Sequence, residues 1–151
     1  MYKEELSINF VSIKLVKEKA TSMNRPKTVS SPNDVYSALE TIFKDADREI
    51  FVVMSLDSKN NVNSINVCHV GTVNSCVIHI REVFKPVILS NGVSFIVAHN
   101  HPSGDTDPSK EDIALTERLQ QAADIFGLHL LDHLIIGDGS FLSMKEKRYM
   151  G

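Results

Sequence analysis

The residues best suited to bind a metal lie between His99 and Asp112, in the run His-Asn-His-Pro-Ser-Gly-Asp-Thr-Asp-Pro-Ser-Lys-Glu-Asp. If the backbone stays extended past a strand over Val93–Ala98, His99 and His101 project to the same side, because alternate residues of a strand share a face. Asp112 stands three residues after Ser109, a favourable helix N-cap. Its carboxylate would therefore lie in the first turn of a helix and could face the end of the strand.

Two imidazoles and one carboxylate form a ligand set that suits Zn²⁺, with bonds of about 2.0–2.2 Å and a fourth tetrahedral position left for water. Zn²⁺ can lower the pKa of that water to about 7 and polarise a carbonyl, which suits amide hydrolysis. The alternative is that Ser109 and Asp112 form only a helix cap and that the histidines are polar turn residues. The joint pattern, with a Pro/Gly loop between the ligands, favours a catalytic zinc site.

The elements that must position this segment are predicted from capping residues, β-branched runs and polar turns. They are a helix from Ser31 to about Asp47, strands over Ile50–Leu56 and Val62–Val70, a helix over Glu82–Leu89, a strand over Val93–Ala98, a helix over Ser109–Phe126, and strands over Leu128–Ile136 and Phe141–Met144. Polar turns predict that the first two strands and the last two form hairpins. The inward face of the long helix is expected to carry Leu115, Leu119, Ala122 and Phe126.

Size and composition predict one globular domain. The chain has 151 residues, of which 42% are hydrophobic and 23% charged, in the ordinary range for a compact domain. We expect an N-terminal extension or connector over residues 1–30, the main domain over 31–144 and a tail over 145–151. Neither a membrane span of about 20 apolar residues nor a signal-peptide layout is visible, so we expect a cytoplasmic protein with no membrane partner.

Charge and cysteine content argue against two other classes of protein. The net charge of −3 and the pI near 6.0 do not favour a free-standing nucleic-acid binder, which usually carries a basic surplus or a basic face. Cys68 and Cys76 do not make a disulfide framework, and their spacing is unlike that of a metal or redox pair. We interpret both cysteines as reduced packing residues.

The metal-binding segment resembles the JAMM signature, H-x-H followed by seven residues and S-x-x-D, which His99, His101, Ser109 and Asp112 meet without departure. The surrounding sequence is similar to the RadC branch of that family over about residues 31–144. The stretches that carry this similarity are Gly71–Asn74, Arg81–Lys85, Ala98–Gly104 and Leu131–Gly137. The tripeptide His79-Ile80-Arg81 departs from the His-Pro-Arg usual in the branch, but it touches no proposed ligand.

The resemblance implies an α/β fold of the MPN/JAMM type, a cytidine-deaminase-like mixed curved sheet flanked by helices, with Zn²⁺ held by both histidines and the aspartate. In such enzymes a glutamate outside the motif holds and deprotonates the water, and the motif serine helps to stabilise the oxyanion. Carried onto this chain, Ser109 takes the second role. Glu49 and Glu82 compete for the first; we favour Glu49, which precedes the first long strand, and interpret Glu82 as a helix-start acid.

Two roles are possible for Asp132 and His133. Metal-bound histidine usually needs a partner for its other ring nitrogen, and these residues could supply it, or they could be ordinary polar residues of a strand.

The leading function is therefore a zinc metallopeptidase or isopeptidase whose peptide or isopeptide substrate is unidentified. The first alternative is a RadC-type accessory protein with a DNA-repair-associated partner, although longer members carry an additional N-terminal helical region for which we expect no room here. The second alternative is a non-catalytic interaction module on an MPN scaffold. Such modules lose one or more metal ligands, whereas all three are present in this sequence.

Overall fold

The computed structural model describes residues 7–18, 28–71 and 78–151, which contain three α-helices and five β-strands. In chain order these are α1 (Pro32–Phe43), β1 (Ile50–Leu56), β2 (Val62–Val70), α2 (Ile80–Leu89), β3 (Ser94–Asn100), α3 (Lys110–Phe126), β4 (His129–Ile136) and β5 (Phe141–Ser143). The elements follow the predicted order, and β1 and β2 have the predicted bounds. The main shifts are that α1 ends earlier, at Phe43, and that β3 continues as far as Asn100.

The strands form one mixed sheet in the order β2-β1-β3-β4-β5. β1 is antiparallel to both β2 and β3, β4 is parallel to β3, and β5 is antiparallel to β4. The parallel pair needs a crossover connection, and α3 supplies it. This topology confirms the predicted α/β class with a mixed sheet flanked by helices.

Helices cover both faces of the central strands, so β1 and β3 are buried on both sides and read as continuous apolar runs. On one face α1 contributes Val35, Leu39 and Phe43 to a core shared with alternate residues of these strands. On the other face residues of α2 and α3 pack against the remaining strand residues. The end of β3, which carries His99, is therefore buried between two layers.

The inward face of α3 is only partly as predicted. Leu119 is fully buried, whereas Phe126 is 57% exposed, with its ring centroid 5.2 Å from that of Phe84. The buried positions of the helix are Thr116, Leu119 and Ala123. Phe126 lies in the last turn, next to the left-handed Gly127 that ends the helix, so the prediction for Phe126 was wrong.

Two smaller expectations concern cysteines and membranes. The Cys68 sulfur lies 3.4 Å from the carbonyl oxygen of Phe51, and its side chain packs against the core, whereas Cys76 lies outside the described residues. The helices within the described ranges are all too short or too polar to cross a membrane.

Candidate metal centre

Three side chains with metal-binding atoms meet where β3 ends. His99 is in the strand, His101 follows it, and Asp112 lies in the first turn of α3. The His99 Nε2 atom lies 3.1 Å from His101 Nε2 and 3.1 Å from Asp112 Oδ1. His101 Nε2 lies 3.1 Å from Asp112 Oδ2. The structure thus brings together the three residues that sequence analysis named as ligands.

The distances between these donor atoms are close to those found around a tetrahedral Zn²⁺ ion. Zn²⁺ bonds of about 2.0–2.1 Å in tetrahedral geometry place neighbouring donor atoms about 3.3–3.4 Å apart. The observed separations of 3.1 Å are within a few tenths of an ångström of that. The nitrogen and carboxylate donors are also the types that Zn²⁺ prefers. The types and spacing of these side chains therefore fit Zn²⁺.

A capping box orients the Asp112 carboxylate. The backbone N–H of Ser109 donates to Asp112 Oδ2 over 2.8 Å, and the backbone N–H of Asp112 donates to Ser109 Oγ over 3.0 Å. The pair thus caps α3 reciprocally. From the sequence, helix capping and metal binding were alternative roles for Asp112. In the structure its carboxylate both caps α3 and faces the two histidines.

Charge at the centre favours an ionised aspartate. Burial acts to raise the pKa of Asp112, but the side chains of His101 and His99 beside its carboxylate outweigh it and hold that pKa well below its ordinary range. The hydrogen bond to Asp112 raises the pKa of His101, against the opposing effect of burial. The centre therefore presents an anionic oxygen between two imidazoles.

The ring nitrogen of His99 that points away from the centre has a buried partner. His99 Nδ1 lies 2.7 Å from His133 Nε2, and His133 Nδ1 lies 2.6 Å from Thr116 Oγ1. The Phe51 ring stacks on His99 and meets His133 edge-on. Burial, and then the facing His99, hold the pKa of His133 well below its ordinary value. His133 thus contacts a candidate ligand directly, whereas nothing in the local sequence singled out Thr116.

Asp132, the other residue left open by the sequence, serves a different purpose. Its carboxylate accepts hydrogen bonds from the backbone N–H groups of His133 and Lys145 and from the Ser143 hydroxyl. Burial raises the pKa of this carboxyl. Asp132 therefore organises the chain around β4 and β5 and makes no hydrogen bond to the three metal-binding side chains.

Glu49 lies immediately before β1 and lines a cavity of about 290 Å³ together with His99 and Asp112. The Asn100 side chain holds the backbone on both sides of Glu49: its Oδ1 accepts from Ile50 N over 2.7 Å, and its Nδ2 donates to the Arg48 carbonyl over 3.1 Å. Sequence analysis gave Asn100 no role. The signal that could have found it is an amide side chain between two candidate ligands on a buried strand.

Glu82, the competing acid, lies in the first turn of α2 and is not among the residues that line this cavity. Its carboxylate accepts a hydrogen bond from Lys85 over 2.8 Å, which lowers the pKa of Glu82. The structure thus brings Glu49 to the cavity beside the metal centre and leaves Glu82 in a surface ion pair.

A second cavity, of about 570 Å³, is lined by His101, residues 102–104, several residues of α1 and the turn over residues 137–139. His99 and Asp112 line the smaller cavity. The three candidate ligands are therefore divided between the linings of two cavities.

The loop that carries His101 approaches Gly137 so closely that only glycine fits there. A Cβ atom at this position would lie 2.6 Å from the Gly104 carbonyl oxygen and 2.7 Å from Thr106 Cγ2. We expect Gly137→Ala to displace this loop, to lower the free energy of unfolding by about 1–3 kcal/mol, and to weaken zinc retention. Denaturant unfolding and zinc analysis of the purified variant would measure both effects.

Gly139→Ala is the matched control, because Gly139 has a positive φ of 67° but open space around its Cα. This variant should lose about 1–2 kcal/mol of stability through backbone strain and keep its zinc. A Gly137→Ala protein with unchanged stability and zinc content would contradict the steric explanation.

The chain is similar in sequence to a known domain family and to several proteins of bacteria and archaea. A family model described as "RadC-like JAB domain" matches residues 29–149. A UPF0758 protein of Staphylococcus epidermidis is 50% identical over 121 residues, which cover 80% of this chain and 54% of the relative. A UPF0758 protein of Methanosarcina mazei is 39% identical over 137 residues, covering 90% of this chain and 60% of the relative. The chain thus spans a little over half the length of such relatives.

Proposed function

The chain belongs to the RadC-like JAB domain family, and on this basis we propose that it is a zinc-dependent hydrolase of amide bonds, a peptidase or isopeptidase. The observation that carries the proposal is the convergence of His99, His101 and Asp112 beside a cavity that Glu49 lines. The two imidazole nitrogens lie 3.1 Å from each other, and each lies 3.1 Å from one oxygen of the carboxylate.

His99, His101 and Asp112 would hold the ion, through two imidazole nitrogens and a carboxylate oxygen. When bound, Zn²⁺ would lower the pKa of a water molecule and polarise the amide carbonyl. The network around the three side chains fixes their orientation in advance, since Asp112 is held by the helix cap and His99 by His133. Such pre-organisation is what a catalytic site requires.

Glu49 is proposed as the general base that takes a proton from the attacking water and delivers it to the leaving nitrogen. Three observations support it over Glu82: it lines the same cavity as two of the ligands, its negative charge contributes to the raised pKa of His101, and its backbone is fixed on both sides by Asn100. Glu82 is instead engaged with Lys85.

Ser109 is proposed to donate a hydrogen bond to the oxyanion that develops on the carbonyl. In the helix cap its Oγ acts as an acceptor for the Asp112 N–H. A hydroxyl that accepts through a lone pair still has its own proton to donate. Capping α3 and stabilising an oxyanion are therefore compatible roles for this side chain.

The proposed substrate is a chain that continues on both sides of the scissile amide. Two cavities border the candidate ligands, one lined by His101 and the other by His99 and Asp112. An internal peptide bond or an isopeptide bond has groups on each side that could enter them. A DNA partner gains no electrostatic support from a net charge of −3.

A peptide library and isopeptide-linked peptides, incubated with the zinc-loaded chain in H₂¹⁸O and followed by mass spectrometry, would test the activity. We expect one ¹⁸O in each new carboxyl group, and no cleavage by the double variant His99→Ala/His101→Ala. Equal cleavage by both proteins would identify a contaminating protease. A zinc-loaded chain that cleaves nothing would favour a non-catalytic module.

A further inference from the structure

A continuous set of hydrogen bonds connects two of the proposed metal ligands through the protein interior. It starts at the Asp112 carbonyl oxygen, which accepts from Thr116 Oγ1 over 2.7 Å. It continues from Thr116 Oγ1 to His133 Nδ1 over 2.6 Å, and from His133 Nε2 to His99 Nδ1 over 2.7 Å. Thr116 and His133 are both buried, so water does not compete for these groups.

The positions of the protons in this network follow from its first member. A carbonyl oxygen can only accept, so Thr116 uses its single hydroxyl proton on Asp112 and must accept from His133 Nδ1. The Met144 sulfur, 3.5 Å from Thr116 Oγ1, is a weak acceptor and does not displace the carbonyl. Because Nδ1 of His133 carries the proton, its Nε2 carries a lone pair.

The same matching of donors with acceptors determines which ring nitrogen of His99 is protonated. The lone pair on His133 Nε2 requires a donor, and the facing atom is His99 Nδ1, which must carry a proton. An imidazole of His133 that donated from both nitrogens would be a buried cation without an anionic partner, which is costly. With Nδ1 protonated, neutral His99 has its lone pair on Nε2, the atom directed at His101 and Asp112.

We propose that Thr116 and His133 are positioning residues that fix His99 in the tautomer able to bind a metal through Nε2. This inference rests on the proposed zinc site and adds to it how one ligand is prepared. It also explains why the chain carries a buried polar pair between α3 and β4. The network joins β3, β4 and α3, so it holds the strand ligand and the helix ligand in a fixed relation.

Two matched pairs of variants test the proposal. Thr116→Val has nearly the same shape as threonine but no hydroxyl, whereas Thr116→Ser keeps the hydroxyl. His133→Phe keeps a ring but has no acceptor, whereas His133→Gln places a carbonyl oxygen near the position of Nε2. Zinc affinity would be measured by competition with a chelator of known affinity, and folding by circular dichroism.

We expect Thr116→Val and His133→Phe to lose about 10- to 100-fold in zinc affinity, the usual effect of removing a partner of a ligating histidine. Thr116→Ser and His133→Gln should stay within a few-fold of the wild type. A merely structural role would not produce this rescue by the conservative variants. Equal affinity for Thr116→Val, His133→Phe and the wild type would overturn the inference and leave the zinc site standing.

The wild-type chain offers a second measurement that does not depend on variants folding. Two-dimensional ¹H–¹⁵N NMR of the imidazoles in the zinc-loaded chain should show His133 and His99 each protonated at Nδ1. A proton on His133 Nε2 would overturn the proposal. Failure of the wild-type chain to bind zinc at all would overturn the proposed function and this inference with it.

Discussion

Replacing His101 or Asp112 by alanine is expected to abolish zinc retention, whereas the wild-type chain should keep about one Zn²⁺ per molecule after dialysis. The reason is geometric: the two imidazole nitrogens lie 3.1 Å apart, and each lies 3.1 Å from one oxygen of the Asp112 carboxylate. Removing one of the three side chains leaves too few donors to hold the ion. Elemental analysis of protein purified without chelators would measure this, beside the double variant His99→Ala/His101→Ala.

Glu111→Ala is a suitable control, because Glu111 is a neighbouring acid in the same helical turn that lines the cavity but is outside the donor group. It should retain zinc. Asp112→Ala also removes half of a helix cap, at a cost of about 0.5–2 kcal/mol, so its fold must be checked by thermal unfolding. If the wild-type chain held no metal even after zinc was added back, this would contradict the hydrolase proposal and favour an interaction module.

Glu49→Gln is expected to keep zinc and to lose about 10²- to 10⁴-fold in the rate of hydrolysis, the usual contribution of a general base. Glutamine has nearly the shape of glutamate but cannot take up a proton. The substitution leaves the backbone contacts of Asn100 in place, since these involve the backbone atoms of Arg48 and Ile50. The measurement is kcat on a cleaved substrate, with zinc content determined on the same samples.

Glu82→Gln is the matched control for this experiment. It breaks the exposed ion pair with Lys85, which should leave both stability and kcat nearly unchanged, because exposed ion pairs contribute little to stability. A Glu49→Gln enzyme with full activity, together with an inactive Glu82→Gln enzyme, would transfer the role of general base to Glu82. Loss of zinc from Glu49→Gln would instead give Glu49 a part in metal binding.

Local sequence patterns determined much of the fold. The β-branched runs of β1 and β2, and the polar turn between them, gave bounds that the structure reproduces, because strand propensity and turn chemistry act over a few residues. The caps at Ser31 and Ser109 marked the starts of α1 and α3 for the same reason. The predicted burial of Phe126 was wrong because burial in the last turn of a helix depends on which distant segments pack beside it.

The grouping of the candidate ligands was also predictable, since His99 and His101 are two residues apart on an extended segment and Asp112 follows in the next helical turn. Such short separations are set by backbone geometry alone. The roles of these residues in binding and catalysis remain predictions, as does the division of the chain at residues 30 and 144.

The tertiary structure decided what surrounds the ligands. In the parallel pairing of β3 with β4, Val97 lies opposite His133 and His99 lies opposite Ile135. The two histidines are therefore diagonal neighbours on one face of the sheet, and the packing of α3 brings Thr116 to His133. Strand register and helix packing depend on the whole core. The sequence by itself therefore determined which residues could bind a metal, while the positions of Asn100, Thr116 and His133 required contacts between distant segments, which no local spacing encodes.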